Sequence, residues 1–221
     1  VLATSIGEVF ADNPAIAGAL GGGQVTKEGL LFAFLVTILS LVGIIAAVFG
    51  VGLVMRIHTE ETALRADPLL AGSLDRRRYL ASNAVVAFVG PAAAMLLAGA
   101  VVGLVAAARE PAIAADDVFW QAVVTIPAVW VLVGLALAVV GAHPSRRAVG
   151  WVAVVATFAL TILGPIFKLD DWVLGISPMW HVPDVTTSPV DWTGLGWLLL
   201  VGALFTAVGF RGYRRRDIAV T

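Results

Sequence analysis

Glu60, Glu61, Arg65 and Asp67 stand within eight residues of one another, with Arg56 just before them and Arg76, Arg77 and Arg78 just after. Interleaved carboxylates and guanidiniums at this spacing suit ion pairing with another protein. Thr59 can cap a helix whose first turn holds Glu60 and Glu61, both favourable at the positive end of the dipole. Glu61 and Arg65 are at i,i+4 in the better orientation, with Leu64 on an adjacent part of the same short helix. Pro68 breaks that helix, and Leu69 and Leu70 offer an apolar edge before Gly72 and Ser73. Such an element is suited to docking a cytoplasmic partner. The same residues also suit a solvated loop whose arginines anchor at lipid headgroups.

Other chemistry is sparse. The chain has no G-x-x-x-x-G-K-[ST] loop, no H-E-x-x-H and no G-x-S-x-G. His58, His143 and His181 are too scattered to meet at one metal, and the absence of cysteine excludes disulfides and thiolate ligands. No acid, base or metal cluster has the spacing a lipid enzyme needs. No catalytic residue, bound metal or cofactor is expected within the chain, and no nucleic-acid partner.

The elements that must position these residues are read from hydropathy. Five runs, 29–55, 80–108, 118–142, 148–167 and 193–210, contain no Asp, Glu, Lys or Arg. A spanning helix needs about 20 apolar residues to cross about 30 Å of hydrocarbon. Four runs reach that length; the fifth has 18 residues and ends in a basic anchor. Backbone crossing lipid must satisfy its own hydrogen bonds, so an all-α polytopic bundle of five spans follows. The composition agrees, with 60% hydrophobic and 13% charged residues, against roughly 25% charged in soluble domains.

Eleven of the fourteen Lys and Arg fall in segments 56–79 and 143–147 and after residue 210. Ten of the fifteen acids fall in the alternate segments. The positive-inside rule then places the N-terminal segment outside and the C-terminus in the cytoplasm of a plasma-membrane protein. Trp120, Trp151, Trp172, Trp180, Trp192 and Trp197 sit at or near expected interfaces. Val1 is not an initiator Met and no basic leader precedes the first run, so the chain reads as part of something longer.

In the outer N-terminal segment, Asp12-Asn13-Pro14 reads as a helix start and Gly21-Gly22-Gly23 as its stop. Segment 168–192 is too apolar for a solvated loop and too short to span, so an interfacial or re-entrant helix is expected, begun by Asp170 or Asp171 and ended by Pro178. Gly90-Pro91 and Pro127 should kink the second and third helices. Gly99 and Gly103 form a GxxxG pattern that permits close packing. Thr37, Ser40, Thr125, Thr157 and Thr161 are expected to bond back to their own helices. No ionisable group lies within a span, which argues against an ion-coupled pump and makes active transport depend on a separate motor.

Several motifs together resemble the type-2 ABC exporter permeases, closest to the actinobacterial polyketide-antibiotic and multidrug branch. They are Phe10-Ala11-Asp12-Asn13-Pro14, Glu60-Glu61 with Arg65 and Asp67, Leu69-Leu70-Ala71, Arg76-Arg77-Arg78-Tyr79, Ser177-Pro178, His181-Val182-Pro183, and Gly212-Tyr213-Arg214-Arg215-Arg216-Asp217-Ile218. The chain departs from that pattern where the family Gly is Leu64, where its Glu is Asp67, and where its Pro after Leu-Leu-Ala gives way to Gly72-Ser73. Five spans remain where six make a half-transporter, which implies most of one half, the C-terminal one.

The resemblance implies that residues 60–71 form a coupling helix on a dimeric cytoplasmic ABC ATPase, which would bind ATP and Mg. Arg56, Glu60, Glu61, Leu64, Arg65, Asp67, Leu69, Leu70, Arg76 and Arg78 would make the coupling contacts. Gly90, Pro91 and Pro127 would serve gating, and Trp172, Pro178 and Trp180 an outer gate. A second transmembrane half, in the same or another chain, would complete the path; lipid and hydrophobic drugs or antibiotics would be the other partners. A lipid or polysaccharide permease and a non-transporting scaffold are the alternative functions.

Overall fold

The computed structural model describes residues 27–63 and 76–215. The described residues form an all-α bundle of five long helices: α1 (Lys27–Thr62), α2 (Arg76–Arg109), α3 (Ala115–Ala142), α4 (Ala148–Phe167) and, after a short helix α5 (Asp171–Leu174), α6 (Thr193–Arg215). Two 3₁₀ turns, Pro144–Arg146 and Pro178–His181, complete the described elements. All five long helices are long and apolar enough to cross a membrane. One end of the bundle gathers Arg56, Arg78, Arg146, Arg147, Arg211, Arg214 and Arg215; it is the basic end, and the opposite end, with Glu110, Asp116, Asp117, Asp170 and Asp171, is the acidic end.

Four of the five long helices, all but α4, outrun the charge-free stretches. α1 has 36 residues, about 54 Å at 1.5 Å per residue, against about 30 Å of hydrocarbon. Its last turns therefore project beyond the basic end. Thr59 does not cap a new helix there: its Oγ1 donates to the Met55 carbonyl at 3.3 Å, inside one continuous helix. The reason is that residues 56–62 contain no Gly or Pro, so nothing breaks the backbone ladder.

α3 is the centre. Its most apolar stretch is 78% buried, against 17–33% for the other spans. It is apolar on every face, as a helix surrounded by others must be, and α1, α2, α4 and α6 all pack on it. α6 runs parallel to α3 at glycine distance. A Cβ at Gly141 would strike the Gly209 carbonyl, one at Gly209 would lie 2.7 Å from the Leu137 oxygen, and one at Gly134 3.1 Å from the Gly202 oxygen. Between α2 and α3 the GxxxG pair works similarly: Gly99 abuts Ala122, and a Cβ at Gly103 would lie 2.6 Å from the Ala115 oxygen. In lipid, small residues hold helices together through such close approach.

Thr37, Ser40 and Thr125 bond back to Ala33, Val36 and Gln121 carbonyls, at 3.0, 2.9 and 2.7 Å. Thr161 departs from that expectation: its hydroxyl lies 3.4 Å from the Ser177 hydroxyl, because the segment after α5 folds in against α4. The expected helix start at Asp12-Asn13-Pro14 and its stop at Gly21-Gly22-Gly23 lie outside the described residues.

Candidate functional site

At the basic end, Glu60 ties two helices together. Its Oε1 accepts from Arg56 Nε at 2.7 Å, one turn back on α1, and its Oε2 accepts from the Tyr79 hydroxyl on α2 at 3.0 Å. Arg56 is 72% exposed and Glu60 25%, so this i,i+4 ion pair adds little stability by itself. Tyr79 is buried, and the bond to it joins the two helices that flank residues 64–75. One turn along, Arg147 Nη1 lies 3.1 Å from His58 Nε2, connecting α1 to the turn before α4. His58 and His143 stand near the basic end and His181 near the acidic end, so the three do not converge.

Of the expected coupling residues, Arg56, Glu60 and Arg78 are placed at this end; Arg78 is exposed. Glu61 and Arg76 lie on the helical ends of α1 and α2, with their side chains outside the described set. Leu64, Arg65, Asp67, Leu69 and Leu70 lie outside the described residues. In the sequence Tyr79 is only the last residue of the Arg76-Arg77-Arg78-Tyr79 motif, and its bond to Glu60 shows what it does there.

Midway along the bundle, Gly90 and Pro91 face α1. Pro91 has no N–H for the Ala87 carbonyl, and Gly50 of α1 comes up against that oxygen: a Cβ there would lie 2.9 Å from it. Phe49 rests on Gly90. The next carbonyl, Phe88 O, accepts from the Trp130 indole on α3 at 3.1 Å, and the Phe88 and Trp130 rings meet edge to face. Neighbouring helices thus engage the carbonyls that a proline loosens, which is how such breaks are tolerated in lipid. Pro127 lies one turn before Trp130, buried in α3. Beside it, α2, α3 and α6 leave an apolar groove of about 550 Å³ lined by Phe88, Pro127, Trp130, Gly202, Thr206 and Phe210, among others.

At the acidic end, Gln121 holds the segment between α5 and α6. It is 1% exposed. Its Nε2 donates to the Pro183 carbonyl at 3.0 Å and its Oε1 accepts from the Val185 amide at 3.1 Å. The segment dips into the bundle: Leu174, Ser177, Pro178 and Met179 are buried, and the Met179 methyl reaches Gly43 of α1 beside Thr125 and Val129 of α3. α5 ends at Leu174, and Pro178 opens the following turn instead of closing α5, since the Ser177 hydroxyl accepts from the Met179 amide and caps that turn. Trp180 lines a small pocket of about 90 Å³ with Ser40, Thr161 and Ser177, whereas Trp172 is 73% exposed and stands apart. Asp191 accepts from the Thr193 amide at 2.9 Å. Hydrogen bonds from Thr193, side chain first and then backbone, hold its carboxyl below the ordinary value. Gln121 stands six positions before Pro127 in the sequence, but its partners lie more than sixty positions away, beyond the reach of a local pattern.

A profile of the family described as multidrug efflux system permease Rv1217c, C-terminal domain, matches residues 1–214. The multidrug efflux system permease protein Rv1217c of Mycobacterium tuberculosis (strain ATCC 25618 / H37Rv) is 34% identical over 218 residues. That match covers 96% of this chain and 39% of the relative, so the chain spans about two fifths of that protein's length. With its five membrane-length helices and a match along nearly all of its length, the chain belongs to the family of Rv1217c-type efflux permease C-terminal domains.

Proposed function

We propose that this bundle is one transmembrane half of an ATP-driven ABC exporter that carries hydrophobic drugs or antibiotics out of the cell. The basic end faces the cytoplasm, and a dimeric ATPase, which would bind ATP and Mg, docks there on residues 56–79. The observation that carries this reading is the Glu60 link. It joins the overhanging end of α1 to the start of α2 through Tyr79, so a push on the intervening segment moves both helices together. The efflux function named for the relative supports the cargo class, and walls almost free of polar groups suit such cargo. The exposed apolar face of α1, with Ile45, Val48 and Phe49, is where the second half and the path between the halves belong. Gly90, Pro91 and Pro127 act as bending points, and Pro178 with Trp180 closes the outer end.

The test compares Glu60→Gln with Tyr79→Phe in the intact transporter. Dye efflux is expected to fall roughly tenfold, a coupling change of about 1.4 kcal/mol, while membrane levels stay unchanged. Purification in mild detergent should recover a P-loop ATPase with the native protein and less of it when Glu60 and Glu61 are both replaced by Ala. Unchanged efflux in all these variants would overturn the coupling assignment.

A further inference from the structure

The groove on α3 between α2 and α6 has a polarity that its lining alone does not show. Its α6 wall is built from Ala203, Ala207 and Phe210, a stripe at helical spacing. The next position on that stripe, four residues on, is Arg214, which is exposed at the basic end beside Arg211 and Arg215. From Leu198 to Phe210 the wall rises about 18 Å at 1.5 Å per residue, the reach of a membrane acyl chain. The polar atoms along it are already used: Thr206 Oγ1 donates to the Gly202 carbonyl at 2.8 Å and the Trp130 indole to Phe88 O. The groove therefore offers hydrocarbon contact along its length and, on its α6 wall, positive charge at the basic end.

We propose that this groove holds one acyl chain of an anionic phospholipid, with the phosphate at Arg214. Charge complementarity selects the occupant. A zwitterionic lipid gains the same hydrocarbon contact but less from the arginines, and juxtamembrane arginines favour anionic headgroups. The groove is lined by residues of α2, α3 and α6 and by none of α1, whose exposed face is assigned to the transport path. It does not depend on the exporter reading, because lipid binding needs no ATPase.

The experiment is tryptophan quenching of the intact protein in nanodiscs by phosphatidylglycerol brominated on its acyl chains, against brominated phosphatidylcholine, read as the part of the quenching that is lost in Trp130→Phe, since Trp130 is the tryptophan that lines the groove. Phosphatidylglycerol is expected to quench at about fivefold lower mole fraction, the weight of one arginine near the surface. That preference should vanish in Arg214→Gln, which alters an exposed position. Quenching by both lipids should fall in Ala203→Phe, which fills the groove. Arg109→Gln, at the opposite end of α2, should leave both unchanged. Equal quenching by the two lipids, or a preference that survives both Arg214→Gln and Ala203→Phe, overturns the proposal. The latter is also the result expected if other helices of the protein cover the groove. Displacement of the lipid by a hydrophobic efflux dye would reassign the groove to cargo and overturn it as well.

Discussion

Gln121 shows what a buried amide does in a helix otherwise suited to lipid. Both ends of its side chain are bonded to backbone 62 and 64 residues away, so it fixes the outer segment to α3. Gln121→Leu keeps the volume and leaves the Pro183 carbonyl and the Val185 amide without that partner, at about 1–3 kcal/mol for each group left unsatisfied. The melting temperature in detergent should drop, and proteolysis between residues 182 and 192 should accelerate; an unaltered cleavage rate would mean that other contacts hold the segment. Glu60 had the opposite history. Its charge and its acidic neighbour made it visible in the sequence as a docking group, but pattern alone cannot show that both of its oxygens engage groups on α1 and α2. Residue chemistry was legible wherever the partner is local, as in Thr37 and Ser40, and hidden wherever the partner comes from a distant helix, as in Thr161.

At the scale of elements, the existence of all five spans could be read from charge-free runs because lipid permits little else. Their ends were legible only in part: α4 coincides with its run, whereas α1, α2, α3 and α6 extend past theirs. α1 continues through Arg56 and Glu60 to Thr62, since a charged residue ends a hydrophobic run without ending a helix. Pairing was partly visible: Gly99 and Gly103 announced a close contact, whereas Gly134, Gly141, Gly202 and Gly209 form theirs across two helices, at a seven-residue spacing in each. Gly141→Ala puts a methyl into the Gly209 backbone and should cost about 1–3 kcal/mol by overpacking. Gly196→Ala, which has nothing within 4 Å of the new methyl, should leave the melting temperature unchanged. Equal behaviour of the two variants would show that α3 and α6 adjust freely and that the seam is loose.

For the whole molecule, the alternation of charge gives an orientation that can be measured directly. The chain has no cysteine, so a single cysteine placed in it is the one thiol of this bundle. With Thr187→Cys a membrane-impermeant maleimide should label intact cells, and with Ser145→Cys only after the membrane is opened. The reverse pattern would invert the bundle and remove the basic end from any cytoplasmic ATPase. The overall class was legible because composition and run length constrain a membrane protein tightly. The centrality of α3 was less so: its mostly apolar sequence is compatible with facing lipid, and its burial and its glycine contacts with α6 and α2 show that it faces protein.

The seam between α3 and α6 also has a consequence for biosynthesis. α3 leaves the ribosome before α4 and the outer segment, so it must enter the bilayer while its eventual neighbour is still unmade. During that interval Gly134 and Gly141 present bare backbone to lipid, a surface on which any passing helix with small residues can settle. The order of translation therefore leaves the most central helix without one of its covers until α6 emerges, and the nascent protein is open to wrong pairing at this seam until then.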